Sequence, residues 1–390
     1  MNGTYDCLVI GCGFAGAVAA RELAERAGKK VLVIDKRSHV GGNAYDYAND
    51  DGILVHKYGP HIFHTNSSRV FEYLSRFTEW REYSHEVLAD VHGALIPVPF
   101  NLNSLHMVYQ ADKAHSLERK LVSVYGMDRK VTISELLASE DKEIHELAEY
   151  VHKNIFLYYT QKQWGISPEE IDPSVTARVP VLISYDNRYF QDKHQGIPAK
   201  GYTPLFEKLL DHPGIDLLFD VNSSEVLRLE GNDVILNDKL FTGEVIYTGA
   251  VDELFGCCYG HLPYRTLEFL FETHDKTFYQ PKGTINYTVD KPYTRITEFK
   301  HLTGQDIPDR TVIMKEYPRA YTGSEAETPY YAILNPENTE LYERYKQLTV
   351  SFSKLYLLGR LAEYKYYNMD AIVEGALVLA DNIITGKKES

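Results

Sequence analysis

The run Leu8-Val9-Ile10-Gly11-Cys12-Gly13-Phe14-Ala15-Gly16 carries the clearest chemistry in this chain: an apolar stretch of strand type followed by a G-x-G-x-x-G turn. The next residues, Ala17 to Arg26, are mostly Ala, Leu, Glu and Arg and read as a helix. The first amides of such a helix, here those of Phe14 and Ala15, have no partner in the helix and carry partial positive charge, so they bind an anion. Gly11 permits the tight turn, Gly13 lets the backbone close on a pyrophosphate, and Gly16 lets helix and strand approach. A second apolar run, Val31 to Ile34, ends in Asp35, at about the 20-residue offset where a carboxylate takes ribose hydroxyls. Together these predict a dinucleotide site rather than an ordinary glycine-containing strand–helix turn.

The residues after Asp35 narrow the nucleotide. The run Lys36-Arg37-Ser38-His39-Val40-Gly41-Gly42-Asn43 resembles the flavoprotein pattern, in which a second glycine pair lies beside the FAD pyrophosphate behind a basic residue. Simple NAD dehydrogenases lack that pair, and the competing reading is a Gly-Gly turn leading into a hairpin. Further on, Gly59-Pro60 punctuates the chain and is succeeded by His61 and Ile62, which reads as a loop beside the flavin. His61 and His64 lack a third ligand at metal spacing, and Cys7, Cys12, Cys257 and Cys258 show neither C-x-x-C spacing nor a disulfide framework. No metal is expected.

The elements that must hold these residues are read from composition and periodicity. At 390 residues with 44% hydrophobic and 25% charged residues, the chain has enough apolar material for two or three domains. No apolar run approaches the ~20 residues of a membrane span and no basic n-region precedes an apolar h-region, so a cytoplasmic protein without membrane attachment is expected. The net charge of −14 argues against nucleic acid as a partner, so an anionic substrate needs local arginines. The 30 tyrosines, against 16 phenylalanines, offer flat faces with hydroxyls that suit a base, a sugar or a phosphate.

Val87–Val91 and Ala94–Pro99 read as a hairpin around His92-Gly93. Helical segments are predicted at 102–110 and 117–125, after a Thr132/Glu135 capping box, and over 141–163 with apolar residues at helical spacing. Ser167 to Pro180, bounded by prolines and rich in small polar residues, has the composition of a mobile loop. Residues 283–289, 293–298 and 311–317 alternate as antiparallel strands. Leu355 begins a buried strand that runs into Gly359-Arg360, and Met369–Ile384 is an amphipathic helix whose N-terminus would lend the flavin ring partial positive charge. The fold class expected is α/β: a Rossmann-like FAD-binding domain (1–83, 196–263, 352–390) with an inserted helical domain (100–183, mobile at about 166–180) and an antiparallel sheet domain (84–99, 184–195, 264–351).

Six separated segments occur in order: Tyr159-Thr160-x-Lys162-Gln163-Trp164-Gly165, Arg178-x-Pro180, Tyr185-Asp186-x-x-Tyr189-Phe190, Gln195-Gly196-x-Pro198, Pro292-Tyr293-Thr294-Arg295 and Gly359-Arg360-Leu361. This series closely resembles the bacterial UDP-galactopyranose mutases along nearly the whole chain. The resemblance implies interconversion of UDP-galactopyranose and UDP-galactofuranose without net redox, with N5 of reduced FAD as covalent nucleophile, in a homodimer that provides galactofuranose for surface glycans. UDP alone is then also a ligand.

The same resemblance implies roles. Arg178 and Arg295 match the arginines that grip the diphosphate, where a planar fork surpasses lysine. Tyr159 matches the residue stacked on uracil with Phe156 nearby, and Trp164 the tryptophan beside the galactose. Tyr189, Tyr331 and Tyr366 match phosphate-directed hydroxyls, with Thr160, Tyr185 and Asn286 also expected on the substrate side. His61 and Arg360 match flavin-side positions, and Asn368 and Met369 are expected to touch the cofactor at the start of the last helix. Several members carry aspartate where this chain has Asn368, which can still hydrogen-bond a sugar hydroxyl without repelling a diphosphate. The competing readings are a flavin amine oxidase or desaturase, in which the arginine pair has no purpose, and a flavin-free binding protein like the prenyl-GTPase dissociation inhibitors.

Overall fold

The computed structural model of the chain describes residues 4–165, 180–324 and 327–387. Cys7–Ile10 and Val31–Ile34 are apolar and buried throughout, as strands covered on both faces must be. They pair in parallel, and Cys7–Ile10 pairs on its other edge with Glu244–Tyr247. Ile215–Leu218 joins beyond Val31–Ile34, and Leu355–Leu357 beyond Glu244–Tyr247, to complete a five-stranded parallel sheet. Strand order therefore runs outward from Cys7–Ile10 in one direction and then, from Glu244 onward, in the other. The switch point lies between those two central strands, where open α/β sheets bind ligands beyond the strand ends.

Helix Phe14–Ala27 crosses one face of this sheet and packs against helices Met369–Thr385 and Tyr202–Leu210 through Val18, Leu23, Val373, Leu377, Leu205 and Phe206. A three-stranded meander, residues 227–241, covers the other face, with Leu227 and Val234 against Leu8, Leu32 and Val245.

The helical region holds one difference with consequences for the site. The spacing over 141–163 predicts one helix, but the chain forms Lys142–Val151, then a single π turn His152–Leu157, then Tyr158–Trp164. A π turn takes an extra residue into the helix and rotates the segment after it, a device frequent at functional sites. The Thr132/Glu135 capping box is present in full. A helix starts at Ala111 rather than 117, with only the small Ala111 and Ala114 as apolar residues before Leu117 to announce it. Arg129–Val131 pairs with Val181–Ile183 in an antiparallel ribbon that periodicity did not indicate, because each strand is only three residues long.

The third body is a seven-stranded sheet in the order Tyr331–Ala332, Tyr264–His274, Thr311–Ala320, Arg295–Glu298, Thr284–Tyr287, Val87–Val91, Ala94–Val98. The 87–98 hairpin joins by a parallel pairing with Thr284–Tyr287, and the other pairings are antiparallel. In this register Asn286 lies opposite Arg295, and Arg295 opposite Glu316. Residues directly opposite across a ladder share one face, so the three form a polar row across three strands.

Candidate active site

Two crevices meet at this junction. The first runs beyond the parallel strands and is lined by Gly11, Gly13, Phe14 and Ala15, by Asp35, Lys36 and Arg37, and by Gly41 and Gly42. The two glycine turns abut: a Cβ on Gly42, whose φ is +56°, would stand 2.9 Å from Gly13 Cα. Gly11, at φ +102°, leaves no room either, since a Cβ there would meet Thr248 Oγ1 at 2.0 Å. Gly16 does not line the crevice. A Cβ on it would reach the Gly11 carbonyl oxygen at 2.0 Å, so its contribution is the close approach of helix to turn rather than ligand contact.

Asp35 is engaged differently from the simple expectation. Its Oδ2 accepts the Cys12 amide at 2.7 Å and its Oδ1 the Arg37 amide at 2.9 Å, so the carboxylate braces the first glycine turn and the chain that leaves strand Val31–Ile34. A carboxylate has about four acceptor positions, which leaves capacity for ribose hydroxyls. Arg37 lies 4.1 Å above the Tyr58 ring and donates to Asn43 Oδ1 at 2.9 Å, which fixes the second glycine turn.

The crevice fits a flavin dinucleotide on its own features. Helices Phe14–Ala27 and Met369–Thr385 both begin without a side-chain cap, at Gly13 and Asn368, so their first amides remain for an anion and for the electron-rich end of a ring. Neither turn has a side chain that would fill the cradle between them.

The second crevice lies on the polar row of the seven-stranded sheet. Phe156, Tyr159, Thr160 and Gln163 reach it from the π turn and the helix after it, at spacings of three and four residues that share one face. Tyr189, Asn286, Arg295, Tyr331, Tyr366 and Asn368 complete it, together with Ile62. The Tyr331 and Tyr366 rings stack at 6.0 Å, with the Arg360 guanidinium 5.7 and 5.3 Å from their centroids. Arg360 donates to the carbonyls of Tyr330 and Tyr367 and makes no ion pair with a carboxylate among the described residues. Asn43, His61, Arg360 and Met369 line both crevices, so the two spaces meet at these side chains.

Arg295 Nε lies 2.9 Å from Glu316 Oε2 and its Nη2 donates to Oε1 at 3.0 Å. Burial works against the guanidinium charge, but Glu316, with Tyr159 and Tyr331 beside it, more than offsets that cost and holds Arg295 protonated. Glu316 thereby accepts one of five N–H donors, from Nη2, while Nε faces Oε2 as an ion pair without hydrogen-bond geometry, and the pairing aims the fork and leaves donors for an anion. Gln163 Oε1, Thr284 Oγ1 and Asn286 Oδ1 are buried here without a protein partner, and orphaned polar atoms converging on one cavity are what a polar ligand satisfies.

His61 Nδ1 faces the Gly59 carbonyl at 2.9 Å, which can only accept, so the ring proton is on Nδ1 and Nε2 presents a lone pair. Its amide donates to His56 Nδ1 at 3.0 Å, and Tyr202 Oη donates to its carbonyl. Burial, reinforced by His56, Arg360 and Arg295, pushes the imidazole down to about 3. A ring held in this way at the junction presents its Nε2 lone pair as a hydrogen-bond acceptor.

Tyr185, expected on the substrate side, is not brought here. It is 50% exposed and its hydroxyl donates to Glu118 Oε1 at 2.6 Å on the surface of the helical region, because the strand Val181–Ile183 has ended and the chain has turned outward. Arg178 and the loop at 166–179 lie outside the described residues, as does the Trp164 side chain. Sequence reasoning missed Thr248, Glu253 and Thr328 on the first crevice and His85, Gln163, Thr284 and Glu316 on the second. Gln163 stood inside one of the six ordered segments. Glu316 gave a weaker signal, an acidic residue at an inward strand position, and Thr248 gave none.

The parallel sheet, the paired glycine turns beyond its switch point and the second crevice that meets them define an FAD-binding enzyme with a Rossmann-like nucleotide domain. A family model described as NAD(P)-binding Rossmann-like domain matches residues 9–77, and one described as UDP-galactopyranose mutase matches 154–366. The chain is 35% identical over 384 residues to the dTDP-fucopyranose mutase of Escherichia coli, covering 98% of this chain and 99% of that protein. It is also 35% identical to a probable UDP-galactopyranose mutase of Klebsiella pneumoniae, covering 97% and 95%. The fold is similar to the crystal structure of a reduced UDP-galactopyranose mutase, with a TM-score of 0.74 at 15% identity over 99% of this chain and 95% of that one. The chain belongs to the UDP-galactopyranose mutase family; it is an isomerase whose cofactor is FAD.

Proposed function

We propose that the chain interconverts UDP-galactopyranose and UDP-galactofuranose in a closed site, as a cytoplasmic homodimer that supplies galactofuranose for surface glycans. The observation that carries the reading is the junction: Asn43, His61, Arg360 and Met369 belong to both crevices, so a sugar in the second crevice meets the ring end of the cofactor in the first. Reduced FAD would supply the nucleophile at the anomeric carbon. This chain's own residues do the rest. Tyr159 and Phe156 offer flat faces to the base, and the orphaned oxygens of Gln163, Thr284 and Asn286 accept from hydroxyls.

Arg360, which has no carboxylate partner among the described residues, and Arg295, aimed by Glu316, hold the diphosphate. The diphosphate gains charge as its bond to the sugar breaks, so both guanidiniums bind that state more tightly than the intact substrate. They also retain the nucleotide until ring closure allows it to return. Arg178 and Trp164 are part of the same proposal, as a further diphosphate arginine beside Arg295 and Arg360 and as the wall beside the sugar. Asn368, at the uncapped start of the last helix, hydrogen-bonds a sugar hydroxyl without adding negative charge.

A second substrate has a specific ground: the relative named dTDP-fucopyranose mutase is as similar, at 35% identity, as the probable UDP-galactopyranose mutase. One experiment serves both substrates. Dithionite-reduced enzyme is incubated separately with UDP-galactofuranose and with the furanose form of dTDP-fucose, and products are resolved by chromatography. Reduced enzyme should convert the UDP sugar without consuming reductant stoichiometrically, while oxidised enzyme stays nearly inactive. Turnover of the thymidine sugar alone transfers the assignment to that substrate, and equal rates for oxidised and reduced enzyme sink the flavin-nucleophile reading.

A further inference from the structure

We propose that Asp252, Cys257 and His261 form a binding site for one divalent cation of the zinc class, outside the flavin and sugar crevices. Asp252 lies in the short helix Val251–Leu254, and Cys257 and His261 stand on the turn between that helix and strand Tyr264–His274. Cys257 Sγ is 3.3 Å from His261 Nδ1 and 3.9 Å from Asp252 Oδ2, and those two atoms are 3.7 Å apart. A tetrahedral zinc with Zn–S ~2.3 Å, Zn–N ~2.05 Å and Zn–O ~2.1 Å has ligand–ligand edges of roughly 3.4–3.6 Å. The observed triangle is one face of such a tetrahedron, widened by a few tenths of an ångström along two edges. Among the described residues it is the single group of three such donors placed this way.

A second observation is independent of the triangle. Asp252 is 2% exposed, and while Oδ2 accepts the Leu262 amide at 3.0 Å, Oδ1 is buried with no partner. Burying a carboxylate charge this poorly hydrogen-bonded costs free energy, and a cation bound through Oδ2, the oxygen that faces the thiol and the imidazole, would offset that cost. The Leu262 amide at the same time orients the carboxylate, as hydrogen bonds behind metal ligands do. The donor set selects among metals: a thiolate with an imidazole and a carboxylate suits zinc or its transition-metal neighbours, not magnesium or calcium, which take oxygen. His261 leaves the outer side of the triangle toward solvent, its side chain 70% exposed, so the fourth position is open to water. Cysteine spacing alone gave no sign of this site, because the third donor comes from a helix turn upstream and only the 256–261 turn brings the thiol and imidazole to it.

The test uses the holoenzyme, kept reduced, stripped with chelator, re-equilibrated with zinc and desalted. Wild type should retain about one zinc per chain, with X-ray absorption showing one sulfur at ~2.3 Å beside N/O ligands at ~2.0 Å. Cys257→Ser and His261→Ala lie outside the core and should keep full FAD content while losing at least about tenfold in zinc affinity, as removal of one of three ligands predicts. Cys258→Ser, the adjacent thiol, should bind zinc like wild type. The proposal is overturned if wild type retains no zinc, if Cys257→Ser and His261→Ala retain it undiminished, or if the bound zinc shows no sulfur ligand.

Discussion

The two crevices are built by opposite means. The nucleotide crevice is made of backbone: two glycine turns in contact, two uncapped helix starts, and one carboxylate whose oxygens hold the Cys12 amide of the first turn and the Arg37 amide behind the second strand. The sugar crevice is made of side chains that come from a π turn and the helix after it, several strands of another sheet and the chain after Leu355–Leu357. A backbone site tolerates almost no added atom but needs few particular side chains. A side-chain site should lose function in graded steps, each the size of the contact removed.

That contrast can be broken most directly at Gly42. Valine there puts a Cβ 2.9 Å from Gly13 Cα on a φ of +56°, a cost of ~3 kcal/mol and so at least about a hundredfold weaker flavin retention. Flavin absorbance of the purified variant reads this, and normal occupancy would show that the turns can part.

Arg295→Ala should behave in the opposite way, keeping FAD while turnover of reduced enzyme falls at least about tenfold, the worth of a charge-assisted contact of ~1.5–3 kcal/mol. Because Glu316 is then left buried and unpaired, the double variant Arg295→Ala/Glu316→Gln should recover stability but not turnover. Arg295→Lys should restore only part, since it lacks the fork. Wild-type turnover in the alanine variant would remove the diphosphate role.

The junction between the crevices should show itself in acid. Burial pushes His56 down to about 4 and His61, with added help from neighbouring charges, to about 3, against ~6.5 in the unfolded chain. A depressed histidine binds its proton in the unfolded state first, so its stabilisation is complete above pH ~6.5 and is lost as pH falls toward the folded value. Between about pH 6 and 4.5, His56→Asn should flatten the fall of folding stability by up to ~1.4 kcal/mol per pH unit. Denaturant titrations across that range measure it; equal slopes would mean that His56 is protonated in place without penalty.

The smallest effect is expected at Tyr185. Tyr185→Phe removes a surface hydrogen bond to Glu118 and should leave kcat and KM within about twofold of wild type. A larger change would mean that the hydroxyl reaches the substrate after all, and that the sugar crevice extends beyond its present lining.

The two regions also differ in how far they were legible. Each part of the nucleotide crevice is local in sequence: the turn, the acid after the second strand and the glycine pair are short runs whose function is conformational. Gly11 and Gly42 at positive φ, and Met369–Thr385 as a helix, stand where spacing and periodicity place them. Gly16 lets helix and strand approach as its place in the motif predicts, although it does not itself line the crevice.

For the sugar crevice, alternation predicted strands at 283–289, 293–298 and 311–317, and a resemblance supplied most side chains. Alternation says which residues of one strand share a face, but not which residue of the next strand stands opposite. Register alone put Asn286, Arg295 and Glu316 in one row, and only the interruption by His152–Leu157 sets the face presented by Tyr159 and Gln163. Linear pattern was enough for the cofactor class and for most elements, because those depend on backbone conformation within a few residues. Glu316 as the partner of Arg295, the neutral state of His61, the outward placement of Tyr185 and the meeting of Asp252 with Cys257 and His261 came from the folded chain, because each depends on distances and burial that a linear pattern does not contain.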